Sequence, residues 1–76
     1  MDELLEWIAR QLVDAPDEVR VERIEREDAT VLRLHVAPDD VGKVIGRQGR
    51  LARALRALVR AASARSDTRL LFEIAE

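Results

Sequence analysis

Residues 44–50 combine the residue types best suited to binding a phosphate group. The segment reads VIGRQGR, with Gly46 and Gly49 on either side of an arginine and a glutamine. Glycine lets the backbone turn tightly and approach a partner closely because it has no Cβ atom. The amphipathic sequence that follows predicts a helix, and the free N–H groups at a helix N-terminus favour an anion. Guanidinium groups at Arg47 and Arg50 suit a phosphate better than other common anions.

The spacing of the glycines excludes two common phosphate-binding motifs. A dinucleotide fingerprint requires G-x-G-x-x-G directly after a strand, but Gly42 and Gly46 are four positions apart and follow the start of a predicted helix. A P-loop requires Gly-Lys followed by Ser or Thr, but Val44 follows Lys43. A G-x-x-G turn also arises at plain helix corners, where glycine relieves crowding. This one lies between two predicted helices and inside a basic block, which favours nucleic-acid binding.

The basic residues are concentrated in one segment, although the net charge of the chain is −2. From residue 41 to residue 66 there are seven basic side chains and no Asp or Glu, whereas the first forty residues carry twelve acids and five arginines. A local field, rather than the total charge, steers a polyanion. A solvated helix face normally mixes both signs of charge, so the distribution also favours nucleic acid.

The composition predicts one small domain without catalytic or metal-binding groups. The chain has 76 residues, enough for a single domain over residues 1–76. It has no cysteine, and His35 is its only histidine, so no metal site is expected. No nucleophile with a base and no evident pair of catalytic carboxylates is found, so we expect no enzyme, no cofactor and no small-molecule substrate. Without a signal peptide or a membrane span, a cytoplasmic location is expected.

The periodicity of apolar residues predicts the order α-β-β-α-α-β. Asp2 is expected to cap the first helix and Asp39 the second, and a change of phase near Glu22-Arg23 predicts a bulge or a twist in the first strand. The predicted elements are a helix over 2–14, strands over 19–27 and 30–37, a short helix opened by residues 38–40 and ending at 45, a helix over 50–65, and a strand over 69–75. Three strands covered on one face by helices make an α+β fold, a two-layer α/β sandwich. The sequence leaves open which strand pairs with the last.

The chain resembles a type II KH domain. The resemblance is carried by residues 41–50, VGKVIGRQGR, by the lead-in APDDVG at 37–42, by the ending LLFEI at 70–74 and by the element order. It covers essentially the whole chain and is closest in kind to the small single-KH RNA-binding proteins of bacteria, the KhpA family. The resemblance implies a cytoplasmic protein that clamps single-stranded RNA, acting as a post-transcriptional regulator or RNA chaperone. It also implies pairing, either as a homodimer or with a multidomain KH protein of the KhpB (Jag) type.

The GXXG resemblance assigns roles to individual side chains. Backbone N–H groups of the turn would approach phosphates, and Val44 is expected to form the groove floor while Ile45 and Leu51 anchor the helices to the core. Such a groove holds about four nucleotides. Arg56 and Arg60 remain open between RNA, a partner protein and solvent, and Trp7 between the rim of the core and a partner. The expected RNA-binding residues are Gly42, Lys43, Val44, Gly46, Arg47, Gln48, Gly49, Arg50 and Arg53.

Two other functions are compatible with the sequence. In the first, the KH fold serves as a protein–protein assembly module without autonomous RNA binding. In the second, the helix over 50–65 lies on an anionic membrane surface, but its apolar face is needed for the core and has no aromatic anchors. The scarcity of aromatic residues, only Trp7 and Phe72, argues against binding driven by base stacking.

Overall fold

The computed structural model describes residues 1–45 and 50–75, without the side chains of Lys43 and Arg50. The predicted order α-β-β-α-α-β is confirmed, with one additional 3₁₀ turn at Pro16–Glu18. The helices are α1 (Asp2–Arg10), α2 (Pro38–Ile45) and α3 (Arg50–Ala64), and the strands are β1 (Arg20–Glu25), β2 (Thr30–His35) and β3 (Leu70–Ile74).

The sheet has the order β1-β2-β3, so the first two strands form a hairpin and the last returns to the far side of β2. β1 pairs antiparallel with β2, and β3 pairs parallel with β2. A parallel pair requires a long crossover, which α2 and α3 provide. The question left open by the sequence is thereby settled: the partner of β3 is β2, the most buried strand.

The core lies between the helices and one face of this sheet. Leu32 and Leu34 of β2 are fully buried against Leu5 of α1 and against Leu55 and Val59 of α3, within one apolar cluster. Leu70, Phe72 and Ile74 of β3 pack onto the same cluster. The two-layer α/β sandwich is therefore confirmed, and the opposite face of the sheet is not covered by any of the described helices.

Of the bulge or twist predicted near Glu22-Arg23, no bulge is present in β1. Its register with β2 runs without interruption from Arg20 opposite His35 to Glu25 opposite Thr30. Directly opposed residues share a face, so Ile24, opposite Val31, lies on the uncovered face, whereas Val21 faces the helices. The change of phase arises because Arg23 occupies a helix-side position at the sheet edge.

Arg23 explains why Asp2 does not cap α1 as predicted. The Arg23 guanidinium donates to both carboxylate oxygens of Asp2, from Nε at 3.2 Å and from Nη2 at 2.7 Å. This ion pair also raises the pKa of Arg23, chiefly through the hydrogen bond. The residue at the N-cap is Met1, without a side-chain capping bond. Asp2 thus ties the start of α1 to the edge strand instead.

Asp40 fixes the start of α2 to the chain that follows α1. Its carboxylate is 1% exposed and accepts hydrogen bonds from the backbone N–H groups of Asp14 (3.2 Å) and Ala15 (3.0 Å). α1 ends at Arg10, four residues earlier than predicted. α2 begins at Pro38, a residue favoured at the first helical position, so Asp39 lies within the first turn and is not the predicted cap.

No helix in the described ranges, 1–45 and 50–75, is both long and apolar enough to cross a membrane.

Candidate nucleic-acid interface

An open groove runs along the free edge of the sheet, between α3 and β3. It has a volume of about 1260 Å³. α3 packs against β3 with its buried side, and the side of α3 next to that buried one forms one wall. Ile45, the last residue of α2, lies at one end of the groove, and Arg69, directly before β3, lies at the other. The crossover that builds the parallel pair therefore also builds the groove.

The groove combines an apolar floor with basic walls. The apolar lining includes Ile45, Ala52 and the helix-side β3 side chains Leu70, Phe72 and Ile74, and it continues around the edge strand to Val31 and Leu71 on the uncovered face. The charged lining consists of five arginines and a single acid, Glu73: the arginines are Arg26, Arg53, Arg56, Arg60 and Arg69. An apolar floor suits the faces of nucleic-acid bases, and arginine walls suit phosphates. The arrangement therefore fits a single strand lying with its bases inward.

Helical geometry places three of these arginines in a row. Arg53, Arg56 and Arg60 are separated by three and four positions, so they share a side of α3 that flanks the buried side with Leu55 and Val59. At 1.5 Å rise per residue the row is about 10 Å long. The predicted separation of α3 into an apolar and an arginine face is thereby confirmed.

Phe72 fixes the middle arginine of this row. The guanidinium carbon of Arg56 lies 5.9 Å from the centre of the Phe72 ring, within the range of a cation–π contact. The contact places the Arg56 guanidinium, on an exposed side chain, beside the groove-lining ring of Phe72. Arg56 and Arg60, whose roles the sequence leaves open, are thus both part of the groove wall.

Two neighbouring apolar residues exchange the positions predicted for them. Val44, expected on the groove floor, is 0% exposed and belongs to the core cluster, whereas Ile45, expected in the core, is 38% exposed and lines the groove. A helix turns by about 100° per residue, so only one of two adjacent residues faces the core. Leu51 packs against the core cluster as predicted.

The other predicted site residues divide into three groups. Arg53 lines the groove, and its role in RNA binding stays a prediction. Gly42 is exposed on α2 and does not line it, and a Cβ atom there would meet nothing within 4 Å. Outside the described residues lie Gly46, Arg47, Gln48 and Gly49, together with the side chains of Lys43 and Arg50. Ile45, the last described residue before the GXXG segment, lines the groove.

An ion-pair network on the uncovered face of the sheet removes the charge of Glu73 from the groove. Arg33 donates to Glu73 at 2.5 Å and lies 3.8 Å from Glu22. Glu22 is also bonded to Nε2 of His35 at 2.8 Å, and this hydrogen bond is the main reason that the pKa of Glu22 lies below its ordinary value. Since Arg33 neutralises Glu73, the groove keeps a positive surface.

The sequence analysis missed Arg26 and Arg69. Both lie next to a strand, Arg26 directly after β1 and Arg69 directly before β3. Their isolation from the basic block gave no reason to select them. Only the parallel pairing of β3 with β2 brings them to the groove.

Comparisons with known proteins agree with this architecture. The chain matches the family model of the KhpA/KhpB KH domain over residues 2–74. The protein named RNA-binding protein KhpA from Clostridium acetobutylicum is 50% identical over 97% of this chain and 99% of its own length. Proteins of the same name from Treponema pallidum and Aquifex aeolicus are 52% and 45% identical, over 96% and 100% of this chain and 91% and 96% of their own.

No solved structure gave a significant match to the chain. The family model nevertheless spans every helix and strand described above, from the start of α1 to the end of β3. The relatives are 45–52% identical to this chain over nearly their full length, so the similarity covers the whole fold. The chain therefore belongs to the KhpA/KhpB family of KH domains.

Proposed function

We propose that this protein binds single-stranded RNA in the groove between α3 and β3. The observation that carries the proposal is the combination of an apolar floor with arginine walls in one continuous groove. The relatives named RNA-binding protein KhpA support RNA as the ligand. The proposed setting is the bacterial cytoplasm, where RNA is synthesised, and the proposed role is that of a post-transcriptional regulator or RNA chaperone.

In the proposed mechanism, the segment from Gly46 to Gly49 binds the phosphates and the groove binds the bases. Backbone N–H groups of the GXXG segment approach the phosphates, and Lys43, Arg47 and Arg50 add positive charge. Gln48, with a donor and an acceptor, meets sugar or phosphate oxygens. The bases lie over Ile45 and the β3 side chains. Such a cleft accommodates about four nucleotides.

The proposed binding is weak and sensitive to salt. Phe72 is the only aromatic residue on the described groove surface, and Arg56 lies over its ring. Base stacking, which contributes about 1–3 kcal/mol per base on aromatic platforms, is therefore largely missing. Phosphate contacts supply most of the affinity, and this affinity falls as the salt concentration rises. Linking two domains raises the affinity through effective concentration.

The test is an NMR titration of short single-stranded RNA into labelled protein. We expect amide shifts at Ile45, Ala52, Arg53 and β3, and their loss in the double variant Arg47→Asp/Gln48→Asp. The matched control is Gln11→Asp/Arg20→Asp, which makes the same two exchanges at exposed positions outside the groove. A wild-type protein without shifts at low salt, or a control that loses them equally, would contradict the proposal.

A second function, assembly with another KH protein, is favoured by the surface of the N-terminal region. Leu4, Trp7 and Leu12 are 43%, 61% and 54% exposed. Trp7 therefore does not complete the core. We propose that this surface contributes to a homodimer or to a complex with a multidomain KH protein of the KhpB type.

The assembly proposal has its own measurement. Sedimentation equilibrium of the wild type and of Leu4→Ser/Trp7→Ser is expected to show association that the variant loses. RNA binding by the monomeric variant separates this function from the first. A wild type that stays monomeric at all concentrations, alone and with a KhpB-type protein, would contradict it.

Membrane-surface binding by α3 is disfavoured, because Leu55 and Val59 of its apolar face are committed to the core.

A further inference from the structure

Three arginines from three separate segments meet at the end of the groove opposite to Ile45. Arg26 follows β1, Arg60 belongs to α3 and Arg69 precedes β3, and all three line the groove. Arg60 is joined there by Ser63, one turn further along α3. We call these three arginines the far cluster.

Backbone hydrogen bonds hold the far cluster together. The carbonyl of Arg69 accepts from the N–H of Thr30 at 2.8 Å, and the N–H of Arg26 donates to the carbonyl of Ala29 at 2.8 Å. Ser63 of α3 accepts, through its hydroxyl oxygen, from the N–H of Leu70 at 2.9 Å. All three segments are thus tied to the same corner of the sheet, so the fold brings the backbones that carry the three arginines to that corner.

The far cluster has no acidic partner within the part of the chain that the structure describes. In contrast, Arg10, Arg23 and Arg33, which lie elsewhere, each form an ion pair with an aspartate or glutamate. The one acid in the groove lining, Glu73, is held by Arg33. Like charges that converge without compensation repel one another, and a bound anion relieves that repulsion. The cluster is therefore suited to a polyanion.

We propose that the far cluster is a second phosphate-binding subsite for the same RNA strand. This inference rests on the proposed function. Arg60 lies about 10 Å from Arg53 along α3, and β3 extends the groove by about 13 Å from Leu70 to Ile74. Arg56, fixed over Phe72 midway, makes the basic wall continuous between the two ends. The strand therefore continues past the nucleotides at the GXXG end and places further phosphates at Arg26, Arg60 and Arg69.

The experiment compares two RNA lengths and two pairs of arginines. Fluorescent RNAs of four and ten nucleotides, with randomised bases, are titrated at several salt concentrations into the wild type, into Arg26→Gln/Arg69→Gln and into the matched control Arg20→Gln/Arg65→Gln. The control removes the same charge from exposed residues that do not line the groove. Circular dichroism checks that each variant is folded. The longer RNA offers more overlapping binding positions, which raises its apparent affinity by the same factor for every protein. This factor cancels when the affinity of a variant is divided by that of the wild type.

We expect the far-cluster variant to bind the ten-nucleotide RNA less tightly, by about two- to fivefold for each arginine lost. The slope of log K against log salt should fall by about 0.7 for each lost phosphate contact on a single strand. Binding of the four-nucleotide RNA should be unchanged, and the control should match the wild type with both RNAs.

Three outcomes would overturn the subsite. The first is an unchanged affinity and salt slope of the far-cluster variant for the ten-nucleotide RNA. The second is an equal loss with both RNA lengths, and the third is an equal loss in the control, which would reduce the effect to overall charge. A wild-type protein that binds neither RNA overturns the proposed function and the subsite together, so the two failures are distinguishable.

Discussion

Removing the carboxylate of Asp40 should destabilise the whole domain, although Asp40 lies on a short helix near the surface. The carboxylate is almost fully buried and accepts hydrogen bonds from the N–H groups of Asp14 and Ala15. In Asp40→Ala both donors lose their acceptor, and α2 loses its tie to the chain after α1. Because α2 ends at Ile45 in the groove, the substitution should also reduce the population able to bind RNA.

The expected magnitude follows from the two bonds. A hydrogen bond to a charged group contributes about 1.5–3 kcal/mol, and an unsatisfied buried donor costs about 1–3 kcal/mol. Both N–H groups are only partly buried, so water recovers part of the loss. We expect Asp40→Ala to lower the free energy of unfolding by about 3–4 kcal/mol. For 76 residues the total is about 4–11 kcal/mol, so the loss is a large fraction of it.

Urea unfolding followed by far-UV circular dichroism measures this loss. The matched control is Asp39→Ala, which removes the neighbouring, exposed acid from the same helical turn and should cost at most about 1 kcal/mol through the helix dipole. Asp40→Asn keeps one acceptor oxygen and should lie between the two. Equal losses for Asp39→Ala and Asp40→Ala would refute the assignment of Asp40 as the residue that fixes α2.

Three further predictions concern single side chains. Gly42→Ala should raise the free energy of unfolding by about 0.5–1 kcal/mol, because alanine favours a helix and its Cβ meets open space; thermal unfolding that occurs earlier would contradict this. Trp7→Ala should cost less than about 1 kcal/mol, against about 3–5 kcal/mol for a core aromatic residue, as measured by urea unfolding. The pKa of Glu22 is lowered on folding from its ordinary value of 4.5. Its contribution to the free energy of unfolding is therefore present above pH 4.5 and is lost as the pH falls through the pKa of the folded state. The unfolding midpoints of wild type and Glu22→Gln should therefore differ at neutral pH and converge once the pH is below the folded pKa of Glu22, and a difference that persists there would contradict the contribution of the Glu22 carboxylate.

Periodic sequence patterns predicted the elements well. The start of α3 at Arg50 and the burial of Leu55 and Val59 follow from helical spacing, and Leu32 and Leu34 follow from strand alternation. These predictions hold because a single rule, one apolar face per element, decides them. The element order was likewise readable, since each change of period marks a boundary.

Features that depend on a distant partner were not readable. Arg23 occupies a helix-side position in β1, where it bonds to Asp2, 21 positions away. Asp40 lies in the first turn of its own helix, and its carboxylate accepts bonds from residues 14 and 15, which precede that helix by more than 20 positions. In the groove, Ile45 rather than Val44 is exposed because of how α2 is rotated on the core. Each of these is a tertiary contact that no local spacing encodes.

The parallel pairing of β2 and β3 also has a consequence for the order of folding. Glu25 and Thr30, which pair in the hairpin, are five positions apart, whereas Thr30 and Leu70 are 40 apart. Contacts between distant positions form late, because closing the longer loop costs more chain entropy. The hairpin is thus expected to form early, and β3 to join last. Since β3 is one side of the groove, a chain that has completed its helices and hairpin still has no place for RNA. RNA binding therefore reports only the fully assembled domain. Added RNA should slow unfolding of that domain, but it should not accelerate the early steps of refolding, in which the hairpin forms.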